Sequence, residues 1–175
     1  MLDIVIPNNN EKSFVSIAEK LGYKELIFLY GFDTYLEKQK NPIKNTKIKI
    51  SYGILADPRN ILKINNKFKE KRPFTAIKSS PHNREIIEKS SPDLVFSLEA
   101  HTKKDFMHQR GSGLNHIMCK LMHDNNIAIG FSLSSILNSE KKHLILGRII
   151  QNIKLCRKYK VKTIIASFTE KSFEM

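Results

Sequence analysis

Leu114-Asn115-His116-Ile117-Met118-Cys119-Lys120-Leu121-Met122-His123-Asp124-Asn125-Asn126-Ile127-Ala128-Ile129-Gly130-Phe131 contains one complete unit of the pattern that organises this chain. Leu114, Ile117, Met118, Leu121 and Met122 recur at i, i+3, i+4, i+7 and i+8, the apolar stripe of an amphipathic helix. Ile127–Phe131 follows as a short apolar run, the signature of a strand buried on both faces. Helix and strand together are half of a parallel strand–helix–strand crossover.

The same alternation extends to both ends. Strands are predicted at Asp3–Ile6, Glu25–Tyr30, Lys47–Leu55, Phe74–Ile77, Leu94–Ser97, Ile127–Phe131 and Thr163–Phe168. Helical stripes lie between them. Phe14, Ile17, Ala18 and Leu21 share one face, and Leu146, Ile149, Ile150, Ile153 and Cys156 share another. Asp57-Pro58 reads as an N-cap with proline at the first helical position, ahead of Ile61, Leu62 and Ile64. Ser80-Pro81 repeats that signal before Ile86 and Ile87. Repeated strand–helix units imply a parallel sheet with right-handed crossovers. The fold class is therefore α/β. Seven evenly spread strands favour a distorted TIM-like barrel over an open sheet, although the pattern alone does not separate the two. A full eight-unit barrel takes about 250 residues, and this chain has 175. A single barrel domain over residues 1–175 is expected, lacking a C-terminal helical segment, because Ser172-Phe173-Glu174-Met175 reads as the start of a further unit.

Composition bounds the partners. Apolar residues make up 41% of the chain, enough for a folded core. Lysine and arginine number 30 against 17 acidic residues, a formal net charge of +13. Such a field concentrates polyanions, whereas a lysine-rich proteome would ordinarily match Lys with Glu. The two cysteines, Cys119 and Cys156, stand too far apart for a metal motif, and free thiols in a reducing cytosol are expected. No signal peptide and no run of about 18 apolar residues is present, so a cytosolic protein is expected.

Chemistry-bearing residues concentrate ahead of the quoted helix. His108-Gln109-Arg110-Gly111-Ser112-Gly113-Leu114-Asn115-His116 places an arginine and two glycines at a predicted helix start, with Ser112 expected to cap a helix opening at Gly113. A helix N-terminus presents free N–H groups and partial positive charge. Glycines admit close approach, and arginine adds a fork of donors. His116, Lys120 and His123 fall on the polar face. Such a corner suits phosphate. An ordinary capped helix whose arginine pairs with a neighbour explains the spacing equally well, and position after a strand C-terminus tilts the balance towards function.

Glu99, His101, Asp105, His108 and His116 are all metal-capable. The metal-dependent phosphoesterase barrels of the polymerase-and-histidinol-phosphatase type carry His-x-His just after the first strand. Here that position reads Pro7-Asn8-Asn9-Asn10, and neutral amides bind transition metals poorly. No metal site is expected. No nucleophile elbow, P-loop or Gly-x-Gly-x-x-Gly occurs either. Basic residues instead recur at predicted loops and strand ends: Lys67, Lys69, Lys71 and Arg72; Lys78 and Arg84; Lys103 and Lys104; Lys141 and Lys142; and Lys154, Arg157, Lys158, Lys160 and Lys162. Each alone is a solvated face; together they point to a polyanion. Aromatic residues are few and sit in apolar stripes, so recognition of folded RNA by shape and backbone fits better than base stacking.

Asp105-Phe106, then Arg110 through His116, the apolar helix and Ile127-Ala128-Ile129-Gly130-Phe131-Ser132 resemble the archaeal ribonuclease P protein component 3 family. Asn83-Arg84 at a helix start and Ala166-Ser167-Phe168 near the end also match, so the resemblance spans essentially the whole chain. It implies a distorted TIM-like barrel without metal ligands. It also implies a non-catalytic protein subunit of ribonuclease P, which binds and stabilises the RNA that removes the 5′ leader from precursor tRNA. The implied partners are ribonuclease P RNA, ribonuclease P protein component 2 and, indirectly, precursor tRNA. The protein is expected to hold no cofactor, with Mg2+ accompanying the RNA. RNA contact is carried over to Arg110, Ser112, Asn115 and His116. Lys78, Arg84, Lys103 and Lys104 are added from charge and predicted loop position. The alternatives are a metal-dependent phosphoesterase barrel and a basic interaction scaffold.

Overall fold

Apolar runs give the strands of this protein one side facing inward and one facing outward, and for most of them both sides are covered. In the computed structural model, which describes residues 1–43, 46–68, 72–100, 105, 107 and 110–175, seven strands form one parallel sheet. They are β1 (Leu2–Val5), β2 (Glu25–Tyr30), β3 (Lys49–Leu55), β4 (Thr75–Lys78), β5 (Leu94–Phe96), β6 (Ala128–Ser132) and β7 (Thr163–Ala166), hydrogen-bonded in sequence order. Each lies within two residues at its start and end of the position predicted from apolar runs. Seven helices intervene: α1 (Glu11–Lys20), α2 (Phe32–Lys40), α3 (Ile61–Lys67), α4 (Asn83–Ser90), α5 (His116–Asp124), α6 (Leu133–Leu137) and α7 (Lys142–Tyr159).

The sheet curls until its ends meet. Phe168 N–H donates to the Ile4 carbonyl at 2.8 Å, and Ile6 N–H to the Thr169 carbonyl at 2.9 Å. Asp3 reinforces the seam by accepting from Ser167 N–H at 2.7 Å and from Ser167 Oγ at 2.5 Å. The result is the TIM-like barrel that the even strand spacing favours.

Inward positions are small or tightly interlocked: Ile4, Leu29, Ala76, Leu94, Phe96, Ala128, Ala166 and Phe168. Phe96 and Phe168 stack with ring centroids 4.3 Å apart and planes 7° from parallel. Gly130 makes room for them, since a Cβ there would lie 2.8 Å from both residues. Outward positions build two further cores. Leu26, Phe28, Tyr30 and Ile54 pack with α1–α3, and Val95, Ile129 and Phe131 with α5 and α7. Cys119 and Cys156 are free and buried in the second core, where burial raises their thiols to about 11 and about 12. They are packing groups, as expected for unreactive thiols.

Two local expectations change, and two helices were not expected. Asp57-Pro58 and Ser80-Pro81 form turns rather than first helical turns. Asp57 Oδ1 accepts from Arg59 N–H and Ser80 Oγ from His82 N–H, so α3 and α4 begin at Ile61 and Asn83. Helices α2 and α6 have no strong stripe. Only Tyr35 of α2 is fully buried and no residue of α6 is. Helix α7 buries Ile145, Arg148, Ile149, Asn152 and Cys156, leaving Leu146 and Ile150 exposed. The stripe read from apolar residues alone is thus rotated by one position. The cause is a polar network that draws Arg148 and Asn152 inward.

Candidate nucleic-acid interface

In a parallel barrel the chain leaves each strand at one common end, where loops and helix N-termini gather. The segment after β5 lies at that end. It begins with a 3-10 turn at Leu98–Ala100 and returns through Arg110–Asn115 into α5. Lys103 and Lys104, together with His101 and His108, lie outside the described residues.

The return segment is fastened from beneath by α7. Arg148, 2% exposed, donates from Nε to Asp105 Oδ1 at 2.7 Å and from Nη1 to the Glu99 carbonyl at 2.9 Å. Asp105 Oδ1 also accepts from Gly111 N–H at 2.9 Å. That backbone bond, helped by the nearby charges of Arg148 and Arg110, holds the Asp105 carboxyl below its ordinary value. Asn152 Nδ2 donates to the Ser112 carbonyl at 2.9 Å, and Gln151 Nε2 to Ser112 Oγ at 3.0 Å.

These bonds correct the expected anion corner. Ser112 is 1% exposed and its oxygens are engaged by α7, so it neither caps the helix nor meets solvent. The cap is Asn115, whose Oδ1 accepts from Met118 N–H at 2.9 Å, and the helix starts at His116 instead of Gly113. Gly111 offers no open N–H to a ligand, because Asp105 has taken it. Gly113 is glycine for an internal reason. It sits at φ +74°, and a Cβ would collide with the Leu98 carbonyl.

What faces outward is a cationic and polar rim. Arg110 is exposed, with its guanidinium lying across Gly147 of α7, where any larger side chain would displace it. Asn115, His116 and Lys120 are exposed along the N-terminal half of α5. Lys78 is exposed at the C-terminal end of β4, and Arg84 is exposed at the start of α4, paired with Glu88 at 3.0 Å. Lys141 and Lys142 stand at the start of α7. Beside them a cavity of about 380 Å³ opens between α6 and α7, lined in part by Ala100, Ser135, Lys141, Leu144 and Arg148. All these positions belong to the same end of the barrel. His123 lies at the far end of α5, its Nδ1 3.2 Å from the Lys160 carbonyl.

Just beneath this rim sits Glu99, fully buried. Its Oε1 receives a long 3.4 Å bond from Ser132 N–H, while Oε2 has no hydrogen-bond partner among the described residues. Burial raises its carboxyl above the ordinary range. Among the described residues no three His, Cys, Asp or Glu side chains converge to hold a metal ion. Among them, too, no helix is long and apolar enough to cross a membrane.

Reading by sequence missed Arg148, Gln151 and Asn152. Their signal was present: Arg148 and Asn152 continue the i, i+3, i+4 spacing of Ile145 and Ile149. Polar side chains on a core face call for internal partners.

Fold and site together define an α/β barrel of the TIM-like class with a rigidly braced, cationic rim at its strand C-termini. Along nearly all its length, the chain is similar to Ribonuclease P protein component 3 from archaea. It is 27% identical over 169 residues to that protein of Methanococcoides burtonii, covering 91% of this chain. It is 21% identical over 171 residues to that of Methanothermobacter thermautotrophicus, covering 90% of this chain. The chain spans about two thirds of these relatives' own length, 65% and 67% respectively. No family model matches. A chain in a cryo-EM structure of archaeal ribonuclease P with mature tRNA has the same fold, with a TM-score of 0.74 and 19% identity. The match covers 100% of this chain and 77% of that one. A crystal structure of an uncharacterized protein is more distant, with a TM-score of 0.53 and 6% identity, covering 99% of this chain and 66% of that one. The resemblance read from Asp105 to Ser132 is borne out by these relatives.

Proposed function

We propose that this chain is a protein subunit of ribonuclease P that binds and stabilises the catalytic RNA removing the 5′ leader from precursor tRNA. Similarity to ribonuclease P protein component 3 over nine tenths of the chain carries the reading. The braced cationic rim supports it physically. RNA resists compaction because its phosphates repel, and a rigid array of cations lowers that repulsion and releases counterions. Rigidity is what the Arg148, Gln151 and Asn152 bonds supply, and exposed charge is what Arg110, Lys78 and Lys120 supply.

In this reading the RNA performs the cleavage with Mg2+, and the protein contributes neither metal nor nucleophile. Arg110, Asn115, His116, Lys78, Arg84, Lys103 and Lys104 contact RNA, whereas Ser112 acts from inside by fixing the loop. Ribonuclease P protein component 2 is the expected protein partner, and precursor tRNA is met indirectly. The test is leader removal by the ribonuclease P RNA at limiting Mg2+, with and without this protein. A protein-dependent rise in rate is expected. Cleavage by the protein without RNA, or no change in rate in its presence, overturns the reading.

A further inference from the structure

Gly147 stands in the interior of α7, within Lys142–Tyr159. Glycine there lowers stability relative to alanine, because it gives up more backbone freedom on folding. The ordinary reasons for a glycine are missing. Its backbone is helical, without the positive φ of Gly22 and Gly113. Gly53, Gly113 and Gly130 are each crowded by core side chains or by backbone, and Gly147 is not. The three atoms nearest to a Cβ at this position all belong to Arg110. Nη1 would collide with it, Cζ would lie 2.7 Å away and Nη2 3.3 Å away. The guanidinium thus occupies the place where a side chain would be.

This seat leaves the charge of Arg110 uncompensated. Arg72, Arg84 and Arg148 are each held by a carboxylate, Asp93, Glu88 and Asp105, at 2.6, 3.0 and 2.7 Å. Arg110 is in no ion pair among the described residues. The carboxylate of its own loop, Asp105, already accepts from Arg148 and from Gly111 N–H. A carboxylate partner fixes an arginine but engages its donors. A bare turn of helix fixes it by shape and leaves those donors open. One turn further along the same face, Gln151 Nε2 donates to Ser112 Oγ at 3.0 Å. The loop that carries Arg110 is therefore pinned to α7 beside the seat.

We propose that Gly147 is a positioning residue for RNA binding: having no side chain of its own, it seats the Arg110 guanidinium against α7 and holds it, uncompensated, where an RNA phosphate can reach it. This role rests on the reading of Arg110 as an RNA contact. The physical reason is pre-organisation, since an arginine already confined loses less freedom when it meets phosphate. Alanine at this position fits the helix better and the RNA worse.

The full chain is titrated into a fluorescein-labelled archaeal ribonuclease P RNA transcript, as the parent, Gly147→Ala, Arg110→Ala and the double variant, and each is melted. Gly147→Ala is expected to raise Tm by about 2–4 °C and to weaken RNA binding about threefold to tenfold. These opposite signs separate positioning from a structural role, in which a poorer fold and poorer binding go together. In the Arg110→Ala background the same alanine is expected to raise Tm again and leave affinity unchanged. RNA affinity equal to the parent in Gly147→Ala, with Arg110→Ala impaired, overturns the proposal and leaves the RNA-contact reading standing. An equal loss in both backgrounds overturns it too, because Gly147 then acts through something other than Arg110. So does a lower Tm in Gly147→Ala, which makes the glycine a requirement of the fold. Parental affinity in Arg110→Ala removes the contact and the proposal with it, while leader removal remains the separate measure of the ribonuclease P reading.

Discussion

Arg110 and Ser112 stand two residues apart, and the fold sends them in opposite directions. Arg110 is exposed and rests its guanidinium on Gly147; Ser112 is buried against Gln151 and Asn152. Arg110→Ala is expected to weaken RNA binding and reduce the slope of log K against log salt by about one, with little change in melting. Binding measured across a salt series checks this. A steep melting loss with intact RNA affinity would instead make Arg110 a structural residue. Ser112→Ala is the internal control. It loses a hydrogen bond of about 1 kcal/mol, lowering Tm with the salt slope intact. Glu99 adds a pH dependence. Burial raises its folded pKa above 4.5, while the unfolded chain releases the proton lower. Between the two values the native state binds more protons than the unfolded state, so stability falls as pH rises through that window. Glu99→Gln cannot ionise. It is expected to melt above the parent at pH 7 and with the parent below a pH of about 4. A variant no more stable at pH 7 shows that the carboxylate is compensated.

Helix α5 owes its start to one side chain. Asn115→Ala removes the acceptor for Met118 N–H and is expected to cost about 1 kcal/mol, or a Tm loss of about 2–4 °C for a chain of this size. Helix α7 has a larger stake, because its buried Arg148 joins Asp105 and the Glu99 carbonyl. Arg148→Met leaves those acceptors without their donor and is expected to cost about 3 kcal/mol or more, read from urea unfolding. Asp105 has the opposite sign to Glu99. Its folded pKa is lowered, so its contribution is present above its ordinary value and vanishes as acid protonates it. Sequence periodicity placed every strand and most helices, but missed α2 and α6. A single fully buried residue in α2 and none in α6 give no stripe to see. It also turned α7 by one position, because a count of apolar residues cannot register an arginine and an asparagine that are buried with partners.

Across the whole molecule, charge rather than any one residue governs the response to salt. In the proposed ribonuclease P role, a chain of net charge +13 is expected to lose about 10³-fold in RNA affinity between 50 and 200 mM salt. A salt-independent affinity would put apolar contacts in command.

Apolar runs were enough to determine the α/β class and the position of each strand, and composition the sign of the charge, because those follow from local period and residue counts; the order of the strands in a closed sheet came only with the tertiary structure. Residue types also marked Arg110–His116 as the segment of interest. Which of those residues face a ligand was decided only by tertiary structure. Both Ser112 oxygens are claimed by Gln151 and Asn152, and a hydrogen bond across about forty residues leaves no trace in local spacing, whereas Gly111 N–H is taken by Asp105 within its own loop. The exposure of Leu146 and Ile150 on α7 was decided in the same way. They look like core until the helix that carries them is turned by its polar anchors.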